Sequence, residues 1–144
     1  MISCTDFIPA YSELFAYLES KGGKDEVRKY WEYISDNGLR KLAPLIREHG
    51  IRGCWMYWSE TLNEEAADFT MTLDEEAGVF EINMHHCPSK GRLLELKHIE
   101  PYEDYCMHCD LLYRRVVEPL GYSYAFDYSE TDRAKCGIKI IKQT

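Results

Sequence analysis

No stretch of this chain approaches the roughly 18 consecutive apolar residues of a membrane span, so no spanning helix is expected. The opening residues Met1-Ile2-Ser3-Cys4-Thr5-Asp6 carry no basic region and lead into no apolar run, which argues against a secretory signal peptide. Positive charge is scarce: 17 Lys and Arg face 25 Asp and Glu, for a net charge of −8. A nucleic-acid partner, whose phosphates need a basic surface, is therefore not expected. There is no internal repeat, low-complexity segment or linker, so residues 1–144 read as one domain, long enough to bury a core without staples. These absences point to a cytoplasmic protein whose thiols stay reduced. Its expected partner is a small molecule, with no membrane and with a homo-oligomer left open.

Aromatic side chains are plentiful, with eleven tyrosines and three tryptophans, and their density suits a lined pocket or a packed core. Residues 1–50 form the helical part. Ile8, Tyr11, Leu14, Phe15 and Leu18 recur at helical spacing until Gly22-Gly23. A second helix runs from about Asp25 to Asn37-Gly38. Leu39, Leu42, Leu45 and Ile46 continue to His49-Gly50, with a kink or new start at Pro44.

Residues 51–144 hold a meander, a helix carrying Cys-x-x-Cys, and a C-terminal β-hairpin. Ile51–Glu60, rich in Trp55, Tyr57 and Trp58, reads as a strand. Phe69, Met71 and Leu73, then Phe80, Ile82 and Met84, alternate with polar residues across the turn at 75–78, as in an antiparallel pair. Asn83, His85 and Cys87 share the polar face. Pro88 ends the strand, Ser89 is expected to cap a short helix containing Leu93, Leu94 and Leu96, and Pro101 opens the main C-terminal helix. Tyr122, Tyr124 and Phe126, then Cys136, Ile138 and Ile140, form the last two strands. The class is α+β with a mainly antiparallel sheet.

Chemistry concentrates in the soft ligands of the second half. Cys106 and Cys109 lie three apart and share a helix face. With Cys87 and Cys136 they make a candidate zinc set, since zinc takes four such ligands in a tetrahedron. Four core cysteines that only pack remain the competing reading. Cys4 and Cys54 are isolated and read as structural. Asp110 stands where haem attachment needs a histidine, so that motif is excluded. His108 is expected off the apolar stripe, solvated near Asp104 and Arg115. A thiolate beside a histidine, or a zinc-bound water, could attack an electrophilic carbon, which makes Cys106, His108 and Cys87 the catalytic candidates. Glu103, Asp104 and Glu118 could orient the histidine. Asn83, His85, Trp55, Tyr57 and Tyr124 are the expected ligand-binding side chains.

Cys87-Pro88, Tyr105-Cys106-Met107-His108-Cys109, Leu120-Gly121-Tyr122 and the strand cysteine Cys136 together resemble the L-2-amino-thiazoline-4-carboxylic acid hydrolase-like family. The layout also resembles vinyl-reductase-type small-molecule-binding domains. The likeness spans roughly residues 37–142. It implies an α+β fold and hydrolysis of a C–N bond, opening a cyclic amidine to an N-carbamoyl amino acid. The alternative is a non-enzymatic binding or sensor domain with a structural zinc.

Overall fold

Two glycines break the helical third where the sequence places them. The computed structural model describes residues 4–144, with side chains from Thr5 onward, so the structural role expected of the Cys4 side chain lies outside the described residues. Helix α1 (Cys4–Gly38) is interrupted at Gly23, whose φ of 74° and ψ of −173° belong to no helix. A side chain rarely adopts that φ, so glycine permits the bend. The two halves fold against each other, with the rings of Phe15 and Trp31 edge to face at 5.3 Å. Ile8, Phe15, Val27 and Trp31 then bury together with Leu93, Tyr102 and Tyr105 in one apolar core.

Helices α2 (Leu42–His49) and α3 (Ile51–Glu64) follow, joined by Gly50. Here the sequence expectation fails: residues 51–60 are helical, not extended. Besides Gly53, the buried residues are Ile51, Cys54, Tyr57 and Trp58, at positions i, i+3, i+6 and i+7. That is helical spacing, which the β-preference of a dense aromatic run conceals. Gly53 shows how closely the two helices pack, for a Cβ there would lie 2.4 Å from the Leu45 carbonyl oxygen.

Strands β1 (Asp68–Asp74), β2 (Val79–His86), β3 (Tyr122–Asp127) and β4 (Cys136–Lys142) form one antiparallel sheet in the order β1-β2-β4-β3. The expected alternation holds: Phe80, Ile82 and Met84 of β2 are buried while Asn83 and His85 are exposed. Register places Ile82 opposite Ile138 and Met84 opposite Cys136. On the neighbouring ladder Phe126 faces Ile138. The inner face joins Leu42, Ile46, Trp58 and Val117 in a second apolar core.

Helix α4 (Pro88–Glu95) leaves β2 directly, and α5 (Met107–Val117) leads into a 3-10 turn, Glu118–Leu120, ahead of β3. The helix expected to open at Pro101 therefore starts six residues later. Residues 101–106 make turns instead, with Tyr105 N–H bonded to the Tyr102 carbonyl at 3.0 Å. The Tyr102 N–H is spoken for by Ser12 Oγ at 2.9 Å, and both tyrosines turn inward to the first core. Among the described residues no helix is long and apolar enough to cross a membrane.

Candidate functional site

A cavity of about 420 Å³ opens on the seam between the two cores. Ile8 and Tyr105 reach it from one core, and Trp58, Ile82 and Ile138 from the other. Cys87, Cys106, Cys109 and Cys136 all line it, together with His108. Its volume lies in the range of roughly 300–1,000 Å³ usual for small-molecule sites.

Each thiol arrives by a different local device. Cys87 ends β2 as the N-cap of α4, with Pro88 in the first helical position, where its missing N–H costs nothing. Its Sγ accepts a hydrogen bond from the Lys90 N–H at 3.4 Å, and its own N–H donates to the Ala134 carbonyl at 2.7 Å. That second bond ties the end of β2 to the loop preceding Cys136. Cys106 is the N-cap of α5 with helical dihedrals, and Cys109 stands in its first turn. The five cysteines from Cys54 onward are free thiols.

Burial sets the charge state of this lining. It pushes the Cys106 thiol up to about 11, against the partial relief of the Lys90 ammonium, and the Cys136 thiol up to about 12. Cys87 is raised as well, and Cys109 lies well above its ordinary value, in both cases chiefly by burial. At neutral pH the site is lined by thiols rather than thiolates. Burial also lowers His108 to about 4, so its imidazole is neutral.

His108 is where the sequence expectation is corrected most sharply. It is buried, not solvated. Its ring lies perpendicular to that of Tyr11 with centroids 5.4 Å apart, far from the solvent position expected beside Asp104 and Arg115. Nδ1 bonds to the Tyr105 carbonyl, which can only accept, so Nδ1 carries the proton. Nε2 is then an acceptor, and the Cys109 Sγ lies 3.4 Å from it. Two of the three acids proposed as orienting groups are engaged elsewhere: Asp104 pairs with Lys24 at 2.8 Å and Glu118 with Arg114 at 3.0 Å. A backbone carbonyl does the orienting.

The expected ligand-binding residues do not line the cavity. Asn83 and His85 lie on the open face of the sheet, where His85 Nε2 bonds Thr70 Oγ1 at 2.6 Å. Trp55 borders a shallow groove beside Met71 and Leu73 instead, because its segment is a helix and turns it away from Trp58. Tyr57 and Tyr124 are buried in the core behind the site. The residues that sequence reasoning missed are Tyr11, Tyr105, Tyr113 and Trp58, the aromatic wall, and Lys90 and Lys135. Reading 51–60 at a period of 3.6 would have found Trp58. Only tertiary packing brings Tyr11 there.

The zinc set expected from the sequence, Cys87, Cys106, Cys109 and Cys136, shares the cavity. Among the described residues no group of three or more His, Cys, Asp or Glu side chains is placed to hold a metal ion. No protein-family model, curated protein or solved structure matches the chain.

Proposed function

We propose that the protein is a hydrolase acting on a C–N bond of a small cyclic amidine or amide bound in the thiol-lined cavity. The observation that carries this is the Cys109–His108 contact of 3.4 Å, with the imidazole oriented by the Tyr105 carbonyl. It has the parts of a nucleophile, a base and an orienting group. In the reading offered, Cys109 Sγ attacks the amidine carbon while Nε2 takes its proton. The imidazolium returns that proton to the departing ring nitrogen as the C–N bond breaks. Water, deprotonated by the same nitrogen, then releases the product and restores the thiol. The preference passes from Cys106 to Cys109 as nucleophile because Cys109 is the thiol in contact with the imidazole. Cys106 and Cys87 become lining groups at two helix N-termini. The free thiols fit a reducing compartment such as the cytosol.

The test is turnover of a thiazoline and cyclic-amidine panel, followed by liquid chromatography of the ring-opened product. Cys109→Ser and His108→Gln should each lower kcat by at least about 100-fold, as loss of a nucleophile or general base does. Turnover that survives Cys109→Ser at the wild-type rate refutes the mechanism.

One observation favours a second reading. All four thiols are held in the neutral form and the cavity walls are mostly apolar and aromatic, as suits a non-enzymatic binding or sensor domain. Saturable quenching of tryptophan fluorescence by panel compounds, without product, would select it.

A further inference from the structure

The late start of α5 changes what the Cys106-x-x-Cys109 pair can do. Were the helix to open at Pro101, both thiols would sit in its middle, held by complete hydrogen bonding on either side. With the helix opening at Met107, Cys106 is the N-cap and Cys109 the third helical residue. A helix N-terminus favours a thiolate at the capping position, and a Cys-x-x-Cys set there brings a second thiol onto the same turn. By helix geometry the two Cα atoms lie about 5 Å apart. That falls within the roughly 4.4–6.8 Å that a disulfide spans. The cavity supplies access, since both thiols line it. The Lys90 ammonium offsets part of the burial that raises the Cys106 thiol, and the His108 acceptor lies on Cys109.

We propose that Cys106 and Cys109 form a dithiol–disulfide couple, with Cys106 the attacking thiol, Cys109 the resolving thiol and His108 the base for resolution. The oxidant is a low-molecular-weight disulfide, R–S–S–R. The Cys106 thiol gives up its proton as it attacks one of the sulfurs, forming a Cys106–S–S–R mixed disulfide and releasing R–S⁻, which takes that proton. Cys109 then attacks the Cys106 Sγ. Its proton passes to His108 Nε2 as the Cys106–Cys109 bond forms and the second R–S⁻ departs. The imidazolium hands that proton to the second R–S⁻. The protein loses two electrons and two protons, and R–S–S–R becomes two R–SH. The other thiols are less suited. Cys87 caps a helix that carries no second cysteine, Cys136 belongs to a paired strand, and Cys54 is fully buried in the other core.

This couple stands whatever the cavity binds, and it is read without any substrate of the proposed hydrolysis. Oxidation would, however, occupy the thiol assigned there as nucleophile. The experiment equilibrates the full chain in glutathione buffers of increasing oxidised fraction, quenches with acid, alkylates, and maps the linked peptides by mass spectrometry. The wild-type protein should give one internal disulfide, Cys106–Cys109. Cys109→Ser should stop at a mixed disulfide on Cys106, and Cys106→Ser should form neither species. His108→Gln should leave the first step at the wild-type rate and slow resolution by at least about 100-fold, a split that a merely structural histidine would not produce. The wild-type map decides the matter even if a variant fails to fold. Glutathione retained on Cys87 or Cys136, a disulfide between any other pair, or a fully reduced protein in excess oxidised glutathione each overturns the proposal.

Discussion

Cys109 and His108 are consecutive residues on one helix, yet the sulfur of the first reaches the Nε2 of the second at 3.4 Å. Successive helical side chains normally point about 100° apart and do not meet. The contact exists because His108 folds back to bond the Tyr105 carbonyl, which turns its far nitrogen towards Cys109. A neutral, buried imidazole is the result, and it has a consequence for stability. In the unfolded chain this histidine titrates near its ordinary 6.5, while in the fold it is held down to about 4. Between those values the unfolded state binds a proton that the native state refuses. The group's contribution is thus intact above pH 6.5 and lost as pH falls towards 4. The loss amounts to roughly 3 kcal/mol, at about 1.4 kcal/mol per pH unit. Urea unfolding at pH 7 and pH 4.5 should show that dependence, and His108→Gln should flatten it. An unchanged slope in the variant would place the acid sensitivity elsewhere.

At the alkaline end the sign reverses. Cys54, Cys106 and Cys136 are raised to about 12, 11 and 12 by burial, from an ordinary 9.0. Above pH 9 the unfolded thiols ionise while the folded ones do not, so stability falls as pH rises from 9. Alkylation should follow the same physics, with Cys106 labelled by iodoacetamide ahead of Cys54, which lies fully buried in the core. Labelling of Cys54 first would contradict the packing of α3.

Gly53→Ala tests the close approach of α2 and α3. Alanine gains about 1 kcal/mol of helix propensity over glycine. Its Cβ would stand 2.4 Å from the Leu45 carbonyl oxygen, a backbone atom that cannot swing aside. Overpacking of this kind costs about 1–3 kcal/mol and occasionally more, so the clash should win. We expect a net loss of about 2 kcal/mol in denaturant unfolding. A neutral or stabilised variant would mean that the helices lie farther apart.

Chelation offers a separate check. With no three-ligand group in place among the described residues, a strong chelator should leave the melting temperature unchanged. A structural zinc contributes on the order of 10 kcal/mol of folding free energy, so its removal could not be missed. A collapse of the melting transition on chelation would restore the tetrahedral site that the sequence suggests.

What the sequence disclosed followed from periodicity. Phe80, Ile82 and Met84 against Asn83 and His85 fixed which face of β2 is buried, and Gly22-Gly23 marked the bend in α1. The four cysteines could be grouped because each sits at an element boundary or on an inward-facing row. What failed did so where tertiary contacts outweigh local preference. Aromatic residues at 55–58 look extended in isolation, but Tyr57 and Trp58 are buried by a helix packed against Leu45 and Ile46 through Gly53. Pro101 is a good helix opener, yet Ser12, ninety residues away in the chain, takes the N–H of Tyr102 and holds the segment in turns. His108 is misplaced by the same error, since its direction depends on where α5 begins.

The seam that holds the cavity is also a line of weakness. On one side lies the core of Phe15, Trp31 and Tyr105, on the other that of Trp58, Phe80 and Ile140. Two cores meeting across an open space should exchange their backbone amides as separate cooperative units, each opening at its own free energy. A molecule seated in the gap touches both and fuses them into one. At a hundredfold excess over its Kd it adds about 2.7 kcal/mol to global stability. For a chain of this length that is a rise of roughly 5–10 °C in Tm. Compounds can therefore be ranked by how far they merge two exchange classes into one, before any reaction is known.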